Sequence, residues 1–389
     1  MFRALLVILA GVSAALHVGK LPPAVGALRQ ALGLSLVDAG FLLSMVQLAG
    51  MTTAVAMGAW VDTLGLRRGI IAGLSVLAAA SIAGGFATSP GVLLALRAVE
   101  GFGFLMVVLP APALVRALVP RERVNQMMGM WGAYMPLGTA AALLVGAQWI
   151  EALGWPSWWW GIGALSAAMA VVIALVIPPP SADAMQARAA SLGERLKLTL
   201  SRSGPWLLAV SFATYSSQWL AVVGFLPTIY EHAGVPAGTR GVLTALAAAV
   251  NMIGNIGGGR LLQKGVAPVK LLRTGFIAMG LCAIIAFAGH DGGGAPAAVR
   301  YVAVLGFSLV GGFIPATLFS LSIRLAPDER TISTTVGWMQ QWSAIGQFAG
   351  PPVVAWVASR VGGWHWTWVA TGSAALAGLA LSQAIARRT

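Results

Sequence analysis

Long apolar runs recur along this chain from end to end, separated by short polar or charged stretches. Twelve of them are long enough to cross a bilayer as helices, which takes about 20 residues each. The six in the first half lie near 4–27, 36–61, 69–88, 91–115, 124–148 and 158–177, and the six in the second half near 205–229, 238–262, 269–289, 298–322, 331–357 and 364–386. This pattern predicts an all-α membrane protein with twelve transmembrane helices.

Composition supports this fold class and excludes several functions. Hydrophobic residues make up 58% of the chain and charged residues 9%, whereas soluble domains carry about 25% charged residues. Cys282 lies in an apolar run and the four histidines are scattered, so we expect no disulfide framework and no metal site. The chain has no phosphate-binding G-x-x-x-x-G-K-[ST] motif, and no nucleophile with a base at a credible spacing. We therefore expect neither an ATP-driven pump nor an enzyme, and no cofactor.

The basic residues are distributed unevenly between alternate loops. If the N-terminus is cytoplasmic, eighteen of the 24 Lys and Arg residues fall on the cytoplasmic side and four on the outer side. This split follows the positive-inside rule. It accounts for the formal charge of +13 without a nucleic-acid partner. We predict a multi-pass protein of the cell (inner) membrane with both termini in the cytoplasm.

Two halves of six spans each are joined by a polar segment. Three prolines end the sixth run, and a stretch of mixed charge follows them. We predict an N-terminal six-helix bundle over 1–177, a cytoplasmic linker over 178–204 and a C-terminal six-helix bundle over 205–389. A weak repeat relates the halves, since Pro-x-Glu-Arg precedes a Trp at the start of both span five and span eleven. Parallel repeats of this kind are typical of transporters that bind their substrate between two bundles.

Three charged residues, Lys20, Arg97 and Glu100, lie deep within the predicted spans of the first half. Arg97 and Glu100 are three residues apart, which places them on one helix face. Counting along the helices at 1.5 Å per residue puts Lys20 at a similar depth. Ionised groups in a bilayer are costly unless they are paired or line a polar cavity. Two cations and one anion leave a net charge of +1, which suits a small monovalent anion. Alternatively, Arg97 and Glu100 form a structural pair while Lys20 reaches the outer interface.

The loop after span two carries a recognisable signature. Its sequence GAWVDTLGLRR resembles the G-x-x-x-D-x-x-G-x-[RK]-[RK] loop of the major facilitator superfamily. The resemblance implies two six-helix bundles and a cytoplasmic latch, which is carried over to Gly58, Asp62, Gly65, Arg67 and Arg68. An ordinary charged loop is the alternative. The second copy, after span eight, lacks the acidic residue.

The fourth span resembles the same superfamily. Arg97-Ala-Val-Glu100-Gly-Phe-Gly103 is similar to its R-x-x-Q-G-x-G pattern, with Glu in place of Gln. There the Arg is associated with proton coupling, so the resemblance implies that Arg97 and Glu100 take part in coupling. His17, one turn before Lys20, is a further candidate, although packing is its other interpretation. A narrower similarity, to the cyanate and nitroimidazole transporter branch, lies in the segments GKLPPA at 19–24, LGLS at 32–35, AG at 39–40 and LAG at 48–50.

In the second half, neutral side chains would complete the binding site. Polar residues in spans often only join neighbouring helices, and that interpretation stays open for each of them. Taken together they predict an aromatic, amide-lined wall formed by Tyr215, Gln218, Asn251, Asn255, Trp338, Gln341 and Trp342.

These features predict a secondary active transporter of a small solute. We expect a small organic or inorganic anion, similar to a monocarboxylate, moved by alternating access with proton coupling. Lys20 and Arg97 would bind it, and the partners are the substrate, protons and the bilayer, for a protein acting as a monomer. The alternative is a proton-driven efflux antiporter for drugs or other lipophilic compounds. A membrane receptor or scaffold is a third interpretation, which the apparent latch disfavours.

Overall fold

The computed structural model describes residues 1–120, 127, 130–178, 192–289, 294–328 and 331–388. These residues are almost entirely helical. The helices are α1 Phe2–Gly19, α2 Val25–Leu32, α3 Leu36–Ser44, α4 Leu48–Leu64, α5 Leu66–Gly84, α6 Pro90–Val108, α7 Ala111–Ala117, α8 Tyr134–Val176, α9 Leu192–Leu200, α10 Ser203–His232, α11 Ala237–Gln263, α12 Pro268–Phe287, α13 Ala297–Gly311, α14 Phe313–Leu325, α15 Ile332–Val361 and α16 Thr367–Ala386.

The twelve predicted spans all have a helical counterpart. Within the described residues, ten helical segments are long and apolar enough to cross a membrane. One of them, α8, contains the predicted spans five and six. Predicted span eleven corresponds to α15, which is a 30-residue helix outside those ten. The helical membrane fold predicted from the apolar runs is confirmed.

Prolines and one glycine interrupt several spans. Pro22 and Pro23 form a short 3-10 turn between α1 and α2, because proline cannot donate a backbone hydrogen bond within a helix. In α8 the backbone turns at Gly154, where φ is 78°, and Pro156 follows two residues later. A positive φ favours glycine, which has no Cβ to clash. This turn separates the predicted spans five and six.

The described residues group into two compact units. Unit 1 contains residues 1–34, 45–192 and 230–245, and unit 2 contains residues 35–44, 193–229 and 246–389. Unit 1 is therefore built from the first half of the chain together with the end of α10 and the start of α11. Unit 2 is built from the second half together with α3. Of the predicted linker, residues 179–191 lie outside the described residues, and the rest includes the short helix α9.

Residues 230–245 in unit 1 and residues 35–44 in unit 2 come from the other half of the chain, and both segments pack closely through glycines. In unit 1, a Cβ built on Gly241 would lie 2.8 Å from the carbonyl oxygen of Leu144. In unit 2, a Cβ built on Gly40 would lie 3.0 Å from the Cα of Pro352. Since neither backbone leaves room for a side chain, these glycines allow the helices to approach each other directly.

The same helix contacts recur in both units. In unit 1, a Cβ on Gly138 would lie 2.7 Å from the carbonyl oxygen of Val12, and α8 packs on α1 through this contact. In unit 2, Gly346 of α15 packs in the same way against the carbonyl oxygen of Ala213 in α10. The contact between α5 and α6 at Gly73 recurs between α12 and α14 at Gly275. The two units therefore share the packing of corresponding helices.

Candidate functional site

The ionisable side chains predicted from the first half meet inside unit 1. His17 and Lys20 come from α1, and Arg97 and Glu100 come from α6. Their exposed fractions are 0% for the first three and 1% for Glu100. We call these four side chains the buried cluster. Lys20 thus lies in the interior, and its alternative placement at an outer interface is wrong.

Glu100 lies at the centre of the buried cluster. Its Oε1 accepts a hydrogen bond from Lys20 Nζ at 2.5 Å, and its Oε2 accepts one from Arg97 Nη1 at 2.5 Å. Arg97 Nη1 also donates to the backbone carbonyl of His17 at 2.7 Å. Each carboxylate oxygen therefore has a cationic donor, which is the arrangement that makes a buried charge tolerable. With the carboxylate ionised and His17 neutral, the cluster has a formal charge of +1.

The ammonium group of Lys20 has an acceptor for each of its three protons. Beside Glu100, these acceptors are Ser81 Oγ at 2.7 Å and His17 Nδ1 at 3.4 Å. Lys20 Nζ also lies 4.8 Å from the centroid of the Trp159 ring, which adds a cation–π contact. Protein groups therefore satisfy the whole ammonium.

His17 connects the buried cluster to α8. An ammonium can only donate hydrogen bonds, so the bond from Lys20 makes His17 Nδ1 an acceptor. The proton of the neutral ring is then on Nε2, which donates to Ser166 Oγ at 2.8 Å. Ser166 Oγ lies 3.2 Å from Ser13 Oγ, which is back on α1. His17 therefore has a specific polar partner on each side of its ring.

Sequence reasoning missed the residues of α5 and α8 that surround the cluster. Ser81 accepts from Lys20 and donates to the carbonyl oxygen of Trp159 at 2.7 Å. Trp158 donates through Nε1 to the carbonyl oxygen of Lys20 at 3.0 Å. Serines inside otherwise apolar spans were the available signal for Ser81 and Ser166. Their spacing gives no information about which other helix they face.

In unit 2 three of the predicted residues form one hydrogen-bonded group. Asn251 donates to Tyr215 at 2.9 Å and to the carbonyl oxygen of Ser308 at 2.8 Å. Asn255 donates to the side-chain oxygen of Asn251 at 3.0 Å. Ser308 Oγ in turn accepts from Trp219 at 3.0 Å. This group joins α10, α11 and α13.

The remaining predicted residues of unit 2 lie elsewhere. Trp338 and Trp342 belong to an aromatic cluster with Trp206, whose ring centroid lies 4.9 Å from Trp338 and 5.6 Å from Trp342. Gln218 is buried and donates to Thr214 of its own helix at 2.8 Å. Gln341 is half-buried on α15 beside Trp342. The structure therefore divides the predicted aromatic and amide residues among three places.

The predicted latch residues lie at the junction of α4 and α5. Gly65 has a φ of 90°, which favours glycine and explains why α4 ends there. Arg67 donates to the carbonyl oxygen of Ala174, near the end of α8, at 2.6 Å, and Arg68 is exposed. The side-chain environments of Gly58 and Asp62 lie outside the described residues.

Sequence comparison identifies a family across most of the chain. The model of the Major Facilitator Superfamily matches residues 4–351. A tetracenomycin C resistance and export protein from Streptomyces glaucescens is 28% identical over 130 residues, which cover 33% of this chain and 24% of that protein. The multidrug resistance protein Stp of Mycobacterium tuberculosis strain CDC 1551 / Oshkosh is 31% identical over 126 residues, which cover 32% of this chain and 22% of that protein. The matched part of the chain thus spans about a quarter of the length of these relatives.

Structural comparison gives matches over the whole chain. A bacterial homolog of the human lysosomal transporter Spinster, in an inward-facing and occupied conformation, has a TM-score of 0.81 at 16% identity. A bacterial homolog of Spinster in an inward-facing and unoccupied conformation has a TM-score of 0.79 at 15% identity. Both cover 99% of this chain and 96% of the other. At this level of identity the likeness concerns the fold.

Proposed function

Because the chain belongs to the major facilitator superfamily, we propose that it is a secondary active transporter of a small anion, coupled to protons by alternating access. The substrate class that we propose is a small organic or inorganic anion of the monocarboxylate type. The observation that carries this proposal is the buried cluster, in which two cationic side chains share one carboxylate.

The charge of the cluster supports an anionic substrate. Its formal charge of +1 is enclosed in an apolar interior, where electrostatic interactions are much stronger than in water. An anion that approached Lys20 or Arg97 would compensate this excess and would compete with Glu100 for their hydrogen bonds. The planar guanidinium of Arg97 suits a carboxylate because it can bind two oxygens at once.

Proton coupling follows from the same arrangement. One proton gained or lost by the cluster changes its charge by one unit, and therefore changes its attraction for an anion. We assign coupling to Glu100 together with Arg97 and His17. The neutral residues of unit 2 named above are proposed as further substrate contacts, and Gly58, Asp62, Gly65, Arg67 and Arg68 as a cytoplasmic gate. The proposed setting is the inner membrane, with both termini in the cytoplasm and a monomeric protein.

A second candidate function is efflux of larger lipophilic compounds in exchange for protons. Two observations favour it: the curated relatives named above are resistance or export proteins, and Trp206, Trp338 and Trp342 provide an aromatic surface. Against it, the carboxylate of Glu100 already has two cationic partners. A cationic substrate would therefore meet a cluster of its own sign.

A binding screen followed by a transport assay distinguishes the two functions. Ligands that bind only the folded form raise its thermal stability, so purified protein is heated with formate, benzoate, cyanate, nitrate and tetraphenylphosphonium in separate samples. Stabilisation by one of the four anions, followed by its proton-driven uptake into proteoliposomes, supports the anion transporter. Stabilisation by tetraphenylphosphonium alone would favour the efflux function instead.

A further inference from the structure

The hydrogen bonds beyond Lys20 form a directed chain that leads away from Glu100. Lys20 donates to His17 Nδ1, and His17 donates through Nε2 to Ser166 Oγ. Ser166 Oγ, which accepts this bond, lies 3.2 Å from Ser13 Oγ and can donate its own proton to that oxygen. Every group in the chain can therefore donate to the next one.

The chain runs through the interior toward the beginning of α1. Ser13 precedes His17 by one helical turn and Lys20 by about two turns. The exposed fractions are 3% for Ser13 and 0% for His17, Lys20 and Ser166. Lys20 is therefore not exposed to solvent in this conformation. The hydrogen-bonded chain nevertheless connects it to Ser13, about two turns earlier on α1.

We propose that Lys20 is the group that carries the coupling proton, and that His17, Ser166 and Ser13 relay this proton toward the beginning of α1. This inference rests on the proposed proton-coupled transport and identifies its proton carrier. On the predicted topology, the relay runs toward the cytoplasmic side, where a symported proton has to be released.

The transfer balances with water as the final acceptor. The Nζ–H bond of Lys20 breaks as a bond to His17 Nδ1 forms, and His17 gives its Nε2 proton to Ser166. Ser166 passes its original proton to Ser13, and Ser13 passes its own to water. Lys20 changes from ammonium to amine, while His17 ends as the other neutral tautomer. Both serines end as neutral hydroxyls.

This transfer changes the charge of the cluster from +1 to 0. Glu100 and Arg97 of α6 stay paired, and the other groups that face Lys20 and His17 are neutral side chains of α5 and α8, namely Ser81, Trp159 and Ser166. An anion is therefore attracted while Lys20 is protonated and is released once the proton has left. Lys20 thus carries the proton, whereas Glu100 and Arg97 contribute to coupling by holding its amine in position and His17 contributes by passing the proton on.

Hydrogen exchange at Lys20 tests the relay without any transported anion. The chain contains four lysines, Lys20, Lys197, Lys264 and Lys270, so protein labelled with 15N at Nζ gives few signals, and Lys20→Gln identifies the signal of Lys20. After transfer into D2O, we expect exchange at Lys20 to slow by about tenfold or more in Ser166→Ala and in Ser13→Ala. Ser166→Thr, which keeps the hydroxyl, should restore it. Ser211→Ala is the control, because Ser211 is equally buried and its hydroxyl has no hydrogen-bond partner among the described residues.

The outcomes separate the relay from the transport function. Unchanged exchange in both serine variants would overturn the relay, even if anion uptake by the wild type proved proton-driven. A protonated-carboxyl infrared band that appears at low pH and is absent in Glu100→Gln would show that Glu100 carries the proton, and would overturn the role of Lys20. Slowed exchange together with uptake that ignores a proton gradient would support the relay as a proton path while refuting the coupled transport.

Discussion

Lys20 and Glu100, which are 80 positions apart in the sequence, form an ion pair of 2.5 Å between Nζ and Oε1 in the interior of unit 1. The pair joins α1 to α6, and Arg97 holds the second oxygen of the same carboxylate. Two cations thus depend on one anion. The consequences of removing any of the three charges therefore differ in a way that can be measured.

The single variant Glu100→Gln should destabilise the protein more than the double variant that carries both Lys20→Met and Glu100→Gln. The single variant leaves two neighbouring buried cations without a carboxylate, and breaking a buried ion pair in this way costs about 3–5 kcal/mol. The double variant removes one of these cations as well, so the two substitutions should be non-additive by about 0.5–3 kcal/mol. Thermal and urea unfolding in detergent measure both effects. Strictly additive losses would mean that the two side chains do not interact.

Glu100→Gln should also change the pH dependence of anion binding between about pH 5 and about pH 8. The neutral amide of the variant cannot stabilise the ammonium of Lys20 as the carboxylate does, so the balance between ammonium and amine, on which the charge of the cluster depends, is altered. The apparent affinity for the anion selected in the thermal screen, measured at several pH values, checks this. A pH dependence identical to that of the wild type would mean that Lys20 is not the titrating group, with His17→Gln as the next variant to examine.

Arg97→Lys should not restore the anion binding that Arg97→Gln removes. Lysine keeps the positive charge but cannot provide the planar, two-oxygen contact of the guanidinium. The measurement is equilibrium binding of the anion to each variant, made on protein whose melting temperature equals that of the wild type. Wild-type affinity in Arg97→Gln would exclude this residue from the anion site.

Gly138→Ala and Gly346→Ala should have similar effects, because they lie at matching helix contacts in units 1 and 2. Each new methyl group would meet a backbone carbonyl oxygen, of Val12 in unit 1 and of Ala213 in unit 2. Overpacking of this kind typically costs about 1–3 kcal/mol. Gly337→Ala in α15 is the control, since a Cβ there meets no atom within 4 Å. If the control lost as much stability as the two variants, the loss could not be attributed to these contacts.

Asn251→Ala should cost about 1–3 kcal/mol of stability, because it removes the hydrogen-bond partner of the buried hydroxyl of Tyr215. The carbonyl oxygen of Ser308 also loses one bond, although it still accepts the backbone N–H of Gly312. The unfolding midpoint measures the loss, with Ser211→Ala as the variant that breaks no hydrogen bond among the described residues. A loss of stability without loss of transport would make Asn251 a structural residue. A loss of transport at full stability would support its proposed contact with the substrate.

The fold was largely predictable from the sequence, since a bilayer imposes a fixed length on each apolar run. The superfamily suggested by the loop at Gly58–Arg68 is confirmed by the match over residues 4–351. The similarity to the cyanate and nitroimidazole branch stays a prediction. The apolar runs did not predict where a span breaks, as it does at Gly154. They also did not predict that α3 groups with the second half of the chain.

The candidate site was predictable in part. The spacing of Arg97 and Glu100 implies one helix face, and counting depth brings Lys20 to the same level. By contrast, the contacts of Ser81 and Ser166 depend on how α5 and α8 are rotated against α1, and side-chain spacing within a single helix carries no such information. For the same reason the sequence grouped Gln218, Asn251 and Trp338 on one wall, whereas their contacts belong to different clusters.

The proposed coupling is tested most directly by the luminal pH of proteoliposomes when an anion gradient is imposed. An impermeant dye reports the luminal pH while formate, benzoate, cyanate and nitrate are added outside the vesicles in turn. Protein-free liposomes give the rate at which each acid leaks through the bilayer by itself. We predict that at least one anion acidifies the lumen faster in wild-type vesicles than in protein-free ones, and that Lys20→Gln and Arg97→Gln remove the difference. Uptake of a labelled anion without acidification, or acidification that is unchanged in both variants, would contradict proton–anion coupling through the buried cluster.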